Sequence, residues 1–456
     1  MPTEVIATLS NQQRPQDDAR KKKTWMSFIQ DTDNELDKCT AWRVCFCCSL
    51  ASMINLGSAY TYGLFFPSIL DEFQAGKAAT ALAGSVTVAL SALLAPIASK
   101  LCDRFGCRLT MIGGGLTTAI AQLGSSFAPN VYVLLLSYGV GFGFASCLVF
   151  ISAMQIVPLY FNRHRSLGLA ILNSGNAGGL LFMTPVIQKL LEHFDWRKAM
   201  MILAALNTLP CFLGCSINRK MKHTSQNTRD NSQTKLTKQW TKLLKTSVLM
   251  NPVFMLLCLT MSVACLGYIM PSIHLAKYAE DLGIPISSSS WMYFAIGIAS
   301  LISRILTGKL CDTGWISHLC IFQLAVVVFG IIDVSLPLAT SLTFLIVYSV
   351  MYGICEGVIM TSMHSYILIT FPGMGFGWYC TFMGLSYLIG PVFAGVIADF
   401  SGSYHPAFIT AGVFLFVSAS LPLFMRFIHN TSTPEEVKLK ESTDKELVIL
   451  EKMTVL

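Results

Sequence analysis

Apolar runs long enough to span a lipid bilayer recur twelve times along this chain, and they restrict its fold more than any other feature. A membrane-spanning α-helix needs roughly 20 apolar residues. Inside the hydrocarbon core every backbone amide must find its partner within its own segment, so the runs predict helices rather than strands. Hydrophobic residues make up 53% of the chain and charged residues only 12%, about half the charged share of an average soluble domain. The sequence therefore predicts an all-α membrane protein.

The apolar runs divide evenly between the two halves of the chain, which predicts twelve transmembrane helices in two six-helix bundles. The runs cover residues 43–70, 78–99, 109–128, 131–158, 166–190 and 198–217 in the first half, and 251–275, 289–308, 316–337, 341–368, 374–398 and 404–428 in the second. The intervening polar stretches predict an N-terminal tail at 1–42, a bundle at 43–217, a linker at 218–250, a second bundle at 251–428 and a C-terminal tail at 429–456.

Lysine and arginine are unevenly divided between the two sides of this topology. With both termini in the cytoplasm, the internal side carries the block RKKK at 20–23, the basic linker, Lys100, Arg104, Arg108, Arg163, Arg165 and Lys309. The external side carries only Lys77, Lys189, Arg197, Lys198 and Lys277. Cytoplasmic loops of membrane proteins hold the excess of basic residues, so we expect both tails and the linker to be cytoplasmic.

The tetrapeptide Lys-Leu-Cys-Asp occurs at 100–103, after the second predicted span, and again at 309–312, after the eighth. These are equivalent positions of the two halves. The sequences TPVIQKLLEHFDW and GPVFAGVIADFSG form a second such pair, at the ends of spans 5 and 11. Two parallel six-span repeats are typical of a large class of transporters, in which substrate binds between the halves near the bilayer midplane.

The stretch SKLCDRFGCRLTMIGGG, which contains the first copy, resembles the loop 2–3 signature of the major facilitator superfamily. Asp103, Arg104, Gly106 and Arg108 match Gly-x-x-x-Asp-Arg-x-Gly-Arg-Arg, whereas Ser99 and Cys107 depart from it. A carboxylate and guanidinium groups at helix ends can pair between the halves and hold one conformation. We expect these matching residues, with Asp312 of the second copy, to act in conformational gating.

A narrower resemblance, to the monocarboxylate transporter family, lies at 160–179 in YFNRHRSLGLAILNSGNAGG. The matching residues are Tyr160, Phe161, Arg163, Arg165, Leu167, Ala170, Gly175 and Gly179, while His164 and Gly168 replace an arginine and an alanine of the motif. The small-x-x-x-small spacing of Gly175 and Gly179 lets helix backbones approach closely. We include Arg163, Arg165 and both glycines among the gating candidates.

Ionisable residues within membrane spans are rare and usually functional. Arg304 in span 8 and Glu356 in span 10 lie at similar predicted depths. The resemblance implies that Arg304 binds the carboxylate of the substrate, a task that suits the planar fork of a guanidinium. A purely structural or snorkelling arginine is the alternative. Glu356 would either hold Arg304 until an anion displaces it or titrate as substrate moves.

Two departures from the resembled family concern coupling to protons. Its proton-coupled lactate carriers have a lysine late in span 1, where this chain has Leu64, and an aspartate one turn before the span 8 arginine, where it has Ser300. The absence of this pair favours another organic anion, a zwitterion or facilitated diffusion.

Further polar residues of the spans are weaker candidates. Asn173 on span 5, His274 on span 7 and Tyr60 on span 1 could line a substrate cavity, although interhelical hydrogen bonding or interfacial anchoring would also explain them. His364, eight residues after Glu356, could be a second titrating group. Asp333 lies near a predicted helix end and receives no special role.

Three functions remain open on the sequence alone. The first is a plasma-membrane carrier of a monocarboxylate or related small organic anion, working by alternating access. The second is a facilitative uniporter for aromatic amino acids, creatine or a similar solute, and the third is a transporter-like sensor without flux. We expect no enzymatic activity, cofactor, metal or nucleic acid, because no nucleotide loop, nucleophile motif or metal cluster is present. Some members of the resembled family need a single-span glycoprotein partner to reach the surface.

Overall fold

The computed structural model describes residues 37–74, 77–217, 246–284 and 286–424, and within these ranges it contains helices and no strand. The basic block at 20–23 and nearly all of the predicted tails and linker lie outside the described residues.

Ten α-helices form the described part of the first half. They are α1 (Cys39–Tyr60), α2 (Phe66–Phe73), α3 (Lys77–Leu93), α4 (Ala95–Phe105), α5 (Cys107–Ser126), α6 (Val131–Leu134), α7 (Gly143–Ile156), α8 (Arg165–His193), α9 (Trp196–Leu206) and α10 (Leu209–Gly214). A π-helical segment, Leu135–Phe142, joins α6 to α7.

Six α-helices form the described part of the second half. They are α11 (Pro252–Asp281), α12 (Ile286–Asp312), α13 (His318–Ser335), α14 (Leu342–Thr370), α15 (Met374–Ser401) and α16 (His405–Ser420). Short 3₁₀ turns occupy Tyr62–Leu64, Val157–Leu159, Thr246–Met250, Leu336–Leu338 and Leu421–Phe424.

Nine helical stretches in the described ranges are long and apolar enough to cross a membrane. Leu82–Leu93 and Ala95–Phe105, which meet at 51°, form a tenth if they are one bent span. The remaining two of the twelve predicted segments are also helical. In α5, threonines, a glutamine and three consecutive glycines lower the hydropathy. After α9, Pro210 lies in the first turn of a new helix, because its ring has no N–H with which to continue α9.

Local chemistry accounts for several helix ends. Side-chain oxygens of Asn130, Asn251, Ser317 and Ser341 accept backbone N–H groups in the first turns of α6, α11, α13 and α14, respectively. Gly106 separates α4 from α5 with a φ of 87°. Glycine adopts this left-handed conformation without a steric penalty, so the turn inside the Asp-Arg-x-Gly motif depends on a glycine at this position.

The chain divides into two compact units that do not follow the two halves of the sequence. Unit 1 comprises the described residues within Met1–Gly84, Leu101–Thr234 and Arg304–Trp315. Unit 2 comprises those within Ser85–Lys100, Lys235–Ser303 and Ile316–Leu456. Each unit therefore contains a segment from the other half of the sequence, and each of these segments adjoins or contains one copy of the Lys-Leu-Cys-Asp repeat.

Close packing of α1 against α8 organises unit 1. A Cβ added at Gly179 would lie 2.7 Å from the carbonyl oxygen of Met53 and 2.9 Å from the amide nitrogen of Gly57. One turn earlier, Gly175 lies against Ser49, whose hydroxyl donates to the carbonyl of Ile171 at 2.9 Å. The predicted small-residue spacing therefore lies on the face of α8 that contacts α1.

Unit 2 uses the same kind of contact. A Cβ at Gly267 of α11 would lie 2.8 Å from the carbonyl oxygen of Ala411 on α16, and one at Gly412 would lie 2.9 Å from that of Gly330 on α13. Ser418 of α16 donates to the carbonyl of Thr260 on α11 at 2.7 Å. Small residues and hydroxyl-to-backbone hydrogen bonds are the usual means by which helices associate in lipid.

A charged cluster joins the end of α2 to the start of α9 in unit 1. Arg197 donates to Oε1 of Glu72 through Nε at 3.0 Å and Nη2 at 2.8 Å, and Nη1 donates to the carbonyl of Ser126 at 2.7 Å. The indole N–H of Trp196 donates to the other oxygen of Glu72. The hydrogen bonds from Arg197 hold the pKa of Glu72 below its usual range.

We expect the Gly179→Ala variant to be destabilised, because the atoms that its Cβ would meet belong to the backbone and cannot rotate away. Overpacking of this kind costs about 1–3 kcal/mol. The melting temperature of the purified protein in detergent measures the effect. Gly124→Ala is the matched control, since nothing lies within 4 Å of its added Cβ. Equal melting temperatures for the two variants would contradict the close contact.

The Glu72–Arg197 cluster should stabilise the fold in a pH-dependent way. Because the pKa of Glu72 is lowered on folding, its contribution is complete above the pKa of the unfolded chain and is lost as the pH falls through the lower folded value. Glu72→Gln should therefore melt earlier than wild type at pH 7, and the gap should close on acidification to below about pH 4. Asp71→Asn is the control, because its exposed side chain makes no hydrogen bond among the described residues. A gap that is independent of pH would exclude this role.

Candidate functional site

Arg304 and Asn173, two of the predicted substrate-binding residues, lie together in unit 1. Arg304 of α12 is only 7% exposed, and its Nη1 donates to the carbonyl oxygen of Asn173 on α8 at 3.2 Å. The side chain of Asn173 is 1% exposed. The two residues are 131 positions apart in sequence, so a helix of each half contributes to this buried polar site.

Asp312, a predicted gating residue, caps the N-terminus of α8. Its Oδ1 accepts the amide of Ser166 and its Oδ2 accepts that of Leu167, both at 2.8 Å. The first amides of a helix have no partner within the helix and lie at the positive end of its dipole, which favours a carboxylate there. Asp312 therefore uses both carboxylate oxygens to hold α12 against the first turn of α8.

Gly308 brings α12 close to α8 one turn before this cap. A Cβ added there would lie 2.9 Å from the carbonyl oxygen of Ser166 and 3.1 Å from the Cα of Leu167. Unit 2 contains a comparable contact, in which a Cβ at Gly377 of α15 would lie 3.0 Å from both the carbonyl oxygen of Ala95 and the Cα of Pro96. Thus a helix beside each repeat copy packs closely on a helix from the opposite half.

The other charged residues of the gating prediction lie at or next to helix ends. Asp103 and Arg104 are exposed, Arg104 lies with its guanidinium 5.3 Å from the ring of Phe105, and Arg108 is half-buried. Arg165 donates through Nε to the carbonyl of Phe161 at 2.8 Å. The amide of Arg163 donates to Oδ2 of Asp37 at 2.9 Å.

Asp37 was not predicted as a site residue. It accepts the amides of Asn162 and Arg163, and its own amide donates to the carbonyl of Tyr160. It therefore holds the loop before α8 from the start of α1. Asp37 has a φ of 57°, and its position in a polar stretch gave no sequence signal.

Glu356 lies half-buried on α14 in unit 2. The hydroxyl of Ser300 on α12 donates to its Oε2 at 2.5 Å. By the sequence resemblance, Ser300 takes the place of an aspartate, and its hydroxyl is a neutral donor to Glu356. The predicted pairing of Glu356 with Arg304 stays a prediction.

Aromatic rings surround the two candidate histidines of unit 2. His364 is buried on α14, with its ring centroid 5.7 Å from that of Phe376 and 5.6 Å from that of Tyr379. The ring of His274 on α11 lies 5.1 Å from that of Tyr404. In unit 1, Tyr60 ends α1 and is 44% exposed.

Metal-binding chemistry has no counterpart in the described ranges. No group of three or more histidine, cysteine or acidic residues in them is arranged to hold a metal ion. Of the cysteines near the start of α1, Cys45 donates to the carbonyl of Gly168 at 3.2 Å, and Cys48 is buried.

Comparison with known proteins identifies the family. The model of the Major Facilitator Superfamily matches residues 48–337 and 266–454. Chicken monocarboxylate transporter 4 is 25% identical over 88% of this chain and 86% of its own length, and human monocarboxylate transporter 12 is 27% identical over 89% and 84%. Bovine monocarboxylate transporter 13 is 26% identical over 87% and 92%.

Two solved structures share the fold. The human organic anion transporter MFSD10 (TETRAN) matches with a TM-score of 0.68 and 15% identity, over 84% of this chain and 100% of its own. The proton:xylose symporter XylE matches with a TM-score of 0.65 and 13% identity, over 84% and 95%. The predicted fold class and both sequence resemblances are confirmed. This chain is thus a multi-pass membrane transport protein, not an enzyme, and it belongs to the major facilitator superfamily.

Proposed function

We propose that this protein is a secondary carrier of the plasma membrane that moves a small carboxylate or a related organic anion by alternating access. The observation that carries the proposal is the buried guanidinium of Arg304 beside Asn173. A buried guanidinium attracts an anion strongly because water does not screen it, and its fork matches the two oxygens of a carboxylate. The similarity to the monocarboxylate transporters supports the same substrate class.

Alternating access requires contacts that form in one conformation and break in another. The cap of Asp312 on Ser166 and Leu167 suits this role, because it consists of two hydrogen bonds between helices of opposite halves. The close approach of Gly308 to Ser166 accompanies it. Separating Asp312 from α8 would expose the first turn of α8 to water. Water can then accept the two amides in place of the carboxylate.

A facilitative uniporter for an aromatic amino acid, creatine or a similar solute is the second candidate. The contact between Ser300 and Glu356 favours it, since a neutral hydroxyl occupies the position of the family's coupling aspartate. In both cases we place both termini in the cytoplasm, from the distribution of basic residues. A single-span glycoprotein partner belongs to the proposal only by resemblance to the family.

Uptake of labelled lactate, pyruvate, an aromatic amino acid and creatine into cells expressing this chain tests the proposal. Arg304→Ala should lower uptake of a carboxylate by about tenfold to a hundredfold, since hydrogen bonds to a charged group contribute about 1.5–3 kcal/mol. Arg304→Lys should restore little, because it keeps the charge but loses the fork. Arg43→Ala, at an exposed arginine of α1, is the control at matched surface expression.

Uptake of the same four solutes at external pH 6 and 7.5 distinguishes a proton-linked carrier from a facilitative uniporter. Carboxylate uptake that rises at acid pH supports a proton-linked carrier, whereas uptake indifferent to pH supports the uniporter. Full uptake by Arg304→Ala would exclude the substrate-binding role of this arginine.

Removing the Asp312 cap should loosen the contact between α12 and the first turn of α8. Asp312→Ala leaves the amides of Ser166 and Leu167 without their acceptor, and loss of a helix cap costs about 0.5–2 kcal/mol. We expect faster hydrogen–deuterium exchange in peptides that cover the first turn of α8. Asp195→Ala is the matched control, because Asp195 precedes α9 without a side-chain cap hydrogen bond. Unchanged exchange in Asp312→Ala would show that the cap does not hold this turn.

A further inference from the structure

Asp333 is a buried carboxyl group that the proposed transport mechanism does not use. It lies on α13 in unit 2, within a candidate membrane span, and it is 0% exposed. From its position near a predicted helix end, the sequence indicates no special role. The structure buries it against α14.

In the described ranges, a phenol is the hydrogen-bond partner of this carboxyl group. Oδ1 accepts the hydroxyl of Tyr348 at 2.8 Å, and Oδ2 has no hydrogen-bond partner among the described residues. Within the same ranges no lysine, arginine or histidine forms an ion pair with it. Burial without a cation strongly disfavours a carboxylate, and uptake of a proton removes the charge.

The titratable groups that interact electrostatically with Asp333 are phenols and a thiol, which ordinarily carry no charge at neutral pH. From α14, Tyr348, Tyr352 and Cys355 interact electrostatically with Asp333. On α11, the ring of Tyr268 stacks on that of Phe329 of α13, with the ring centroids 6.4 Å apart. On α16 the only titratable residue is His405, and its ring lies against Tyr278 instead.

Tyrosines connect this region to Glu356. Tyr348, Tyr352 and Glu356 follow one another at intervals of four residues along α14, so they lie on adjacent turns of one side. The hydroxyl of Tyr352 donates to the carbonyl of Tyr268 at 2.8 Å, and that of Tyr268 donates to the hydroxyl of Tyr387 at 2.5 Å. Tyr352 interacts electrostatically with both Asp333 and Glu356.

We propose that Asp333 is a second proton-binding site of this carrier, positioned by Tyr348, and that its proton is released only when unit 2 rearranges. Ionisation would require water or a cation next to Oδ2, and in the present arrangement neither can approach a carboxyl group that is 0% exposed. Proton occupancy and conformation are therefore linked. This inference rests on the proposed transport function and gives the protein a proton site that does not need the family's lysine and aspartate.

The test uses the full-length protein in lipid nanodiscs and two independent measurements. The first is the infrared difference spectrum between wild type and Asp333→Asn at neutral pH, which requires no substrate. Asparagine has nearly the shape of aspartic acid and still accepts the Tyr348 hydroxyl, so the variant should fold, and its melting temperature checks this. Glu356→Gln is the matched control at the other carboxyl group.

We expect wild type and Glu356→Gln to show the carbonyl stretch of a protonated carboxyl group that Asp333→Asn lacks. Tyr348→Phe should retain this band at a shifted frequency, because one hydrogen bond to the carboxyl group is gone. A difference spectrum without such a band would show that Asp333 is ionised and would overturn the proposal.

The second measurement is the ratio of uptake at pH 6 to uptake at pH 7.5, with the substrate that the uptake panel identifies. We expect a ratio above unity in wild type and a ratio of unity in Asp333→Asn. A protonated Asp333 with an unchanged pH profile in the variant would overturn the link to transport. If wild type transports none of the tested solutes, the proposed substrate class fails, and the infrared result still decides whether Asp333 holds a proton.

Discussion

The absence of water from the bilayer core governs the contacts between the membrane-spanning helices. Each helix satisfies its own backbone there, so two helices can associate only through close approach of small residues or through a polar side chain that reaches a neighbouring backbone. Gly179 against Met53 and Gly57 is the first kind of contact. Ser49 to Ile171 and Ser418 to Thr260 are the second. Contacts of both kinds therefore fix how the helices pack.

The functional candidates use contacts of the second kind. Arg304 and Asp312 lie on one helix, and both reach the backbone of α8, one at Asn173 and the other at the first turn. In water these contacts would compete with solvent and contribute little. At buried or partly buried helix positions, a guanidinium and a carboxylate directed at backbone groups can both hold a conformation and respond to an anion.

The helices and several of the site residues could be predicted from sequence because they depend on local patterns. Apolar runs give the spans, the repeat indicates Asp312, and the Asp-Arg-x-Gly motif indicates the turn at Gly106. The rotation of each helix about its axis could not be predicted. A segment that is apolar on all sides has no amphipathic pattern to show which residues face a neighbour, so the burial of Asp333 and its contact with Tyr348 depend on tertiary packing alone.

The cap on α8 has a consequence for how the protein is made. The acceptor of the Ser166 amide is synthesised 146 residues after it, and chains enter the membrane from their N-terminal end. Until α12 has been inserted, the first turn of α8 must rely on water or lipid headgroups for its hydrogen bonds. The first six segments are therefore an incomplete folding unit. If the chain were cut within the linker, the fragment that contains α8 would lack the Asp312 cap. It would gain this cap only when the two fragments assemble.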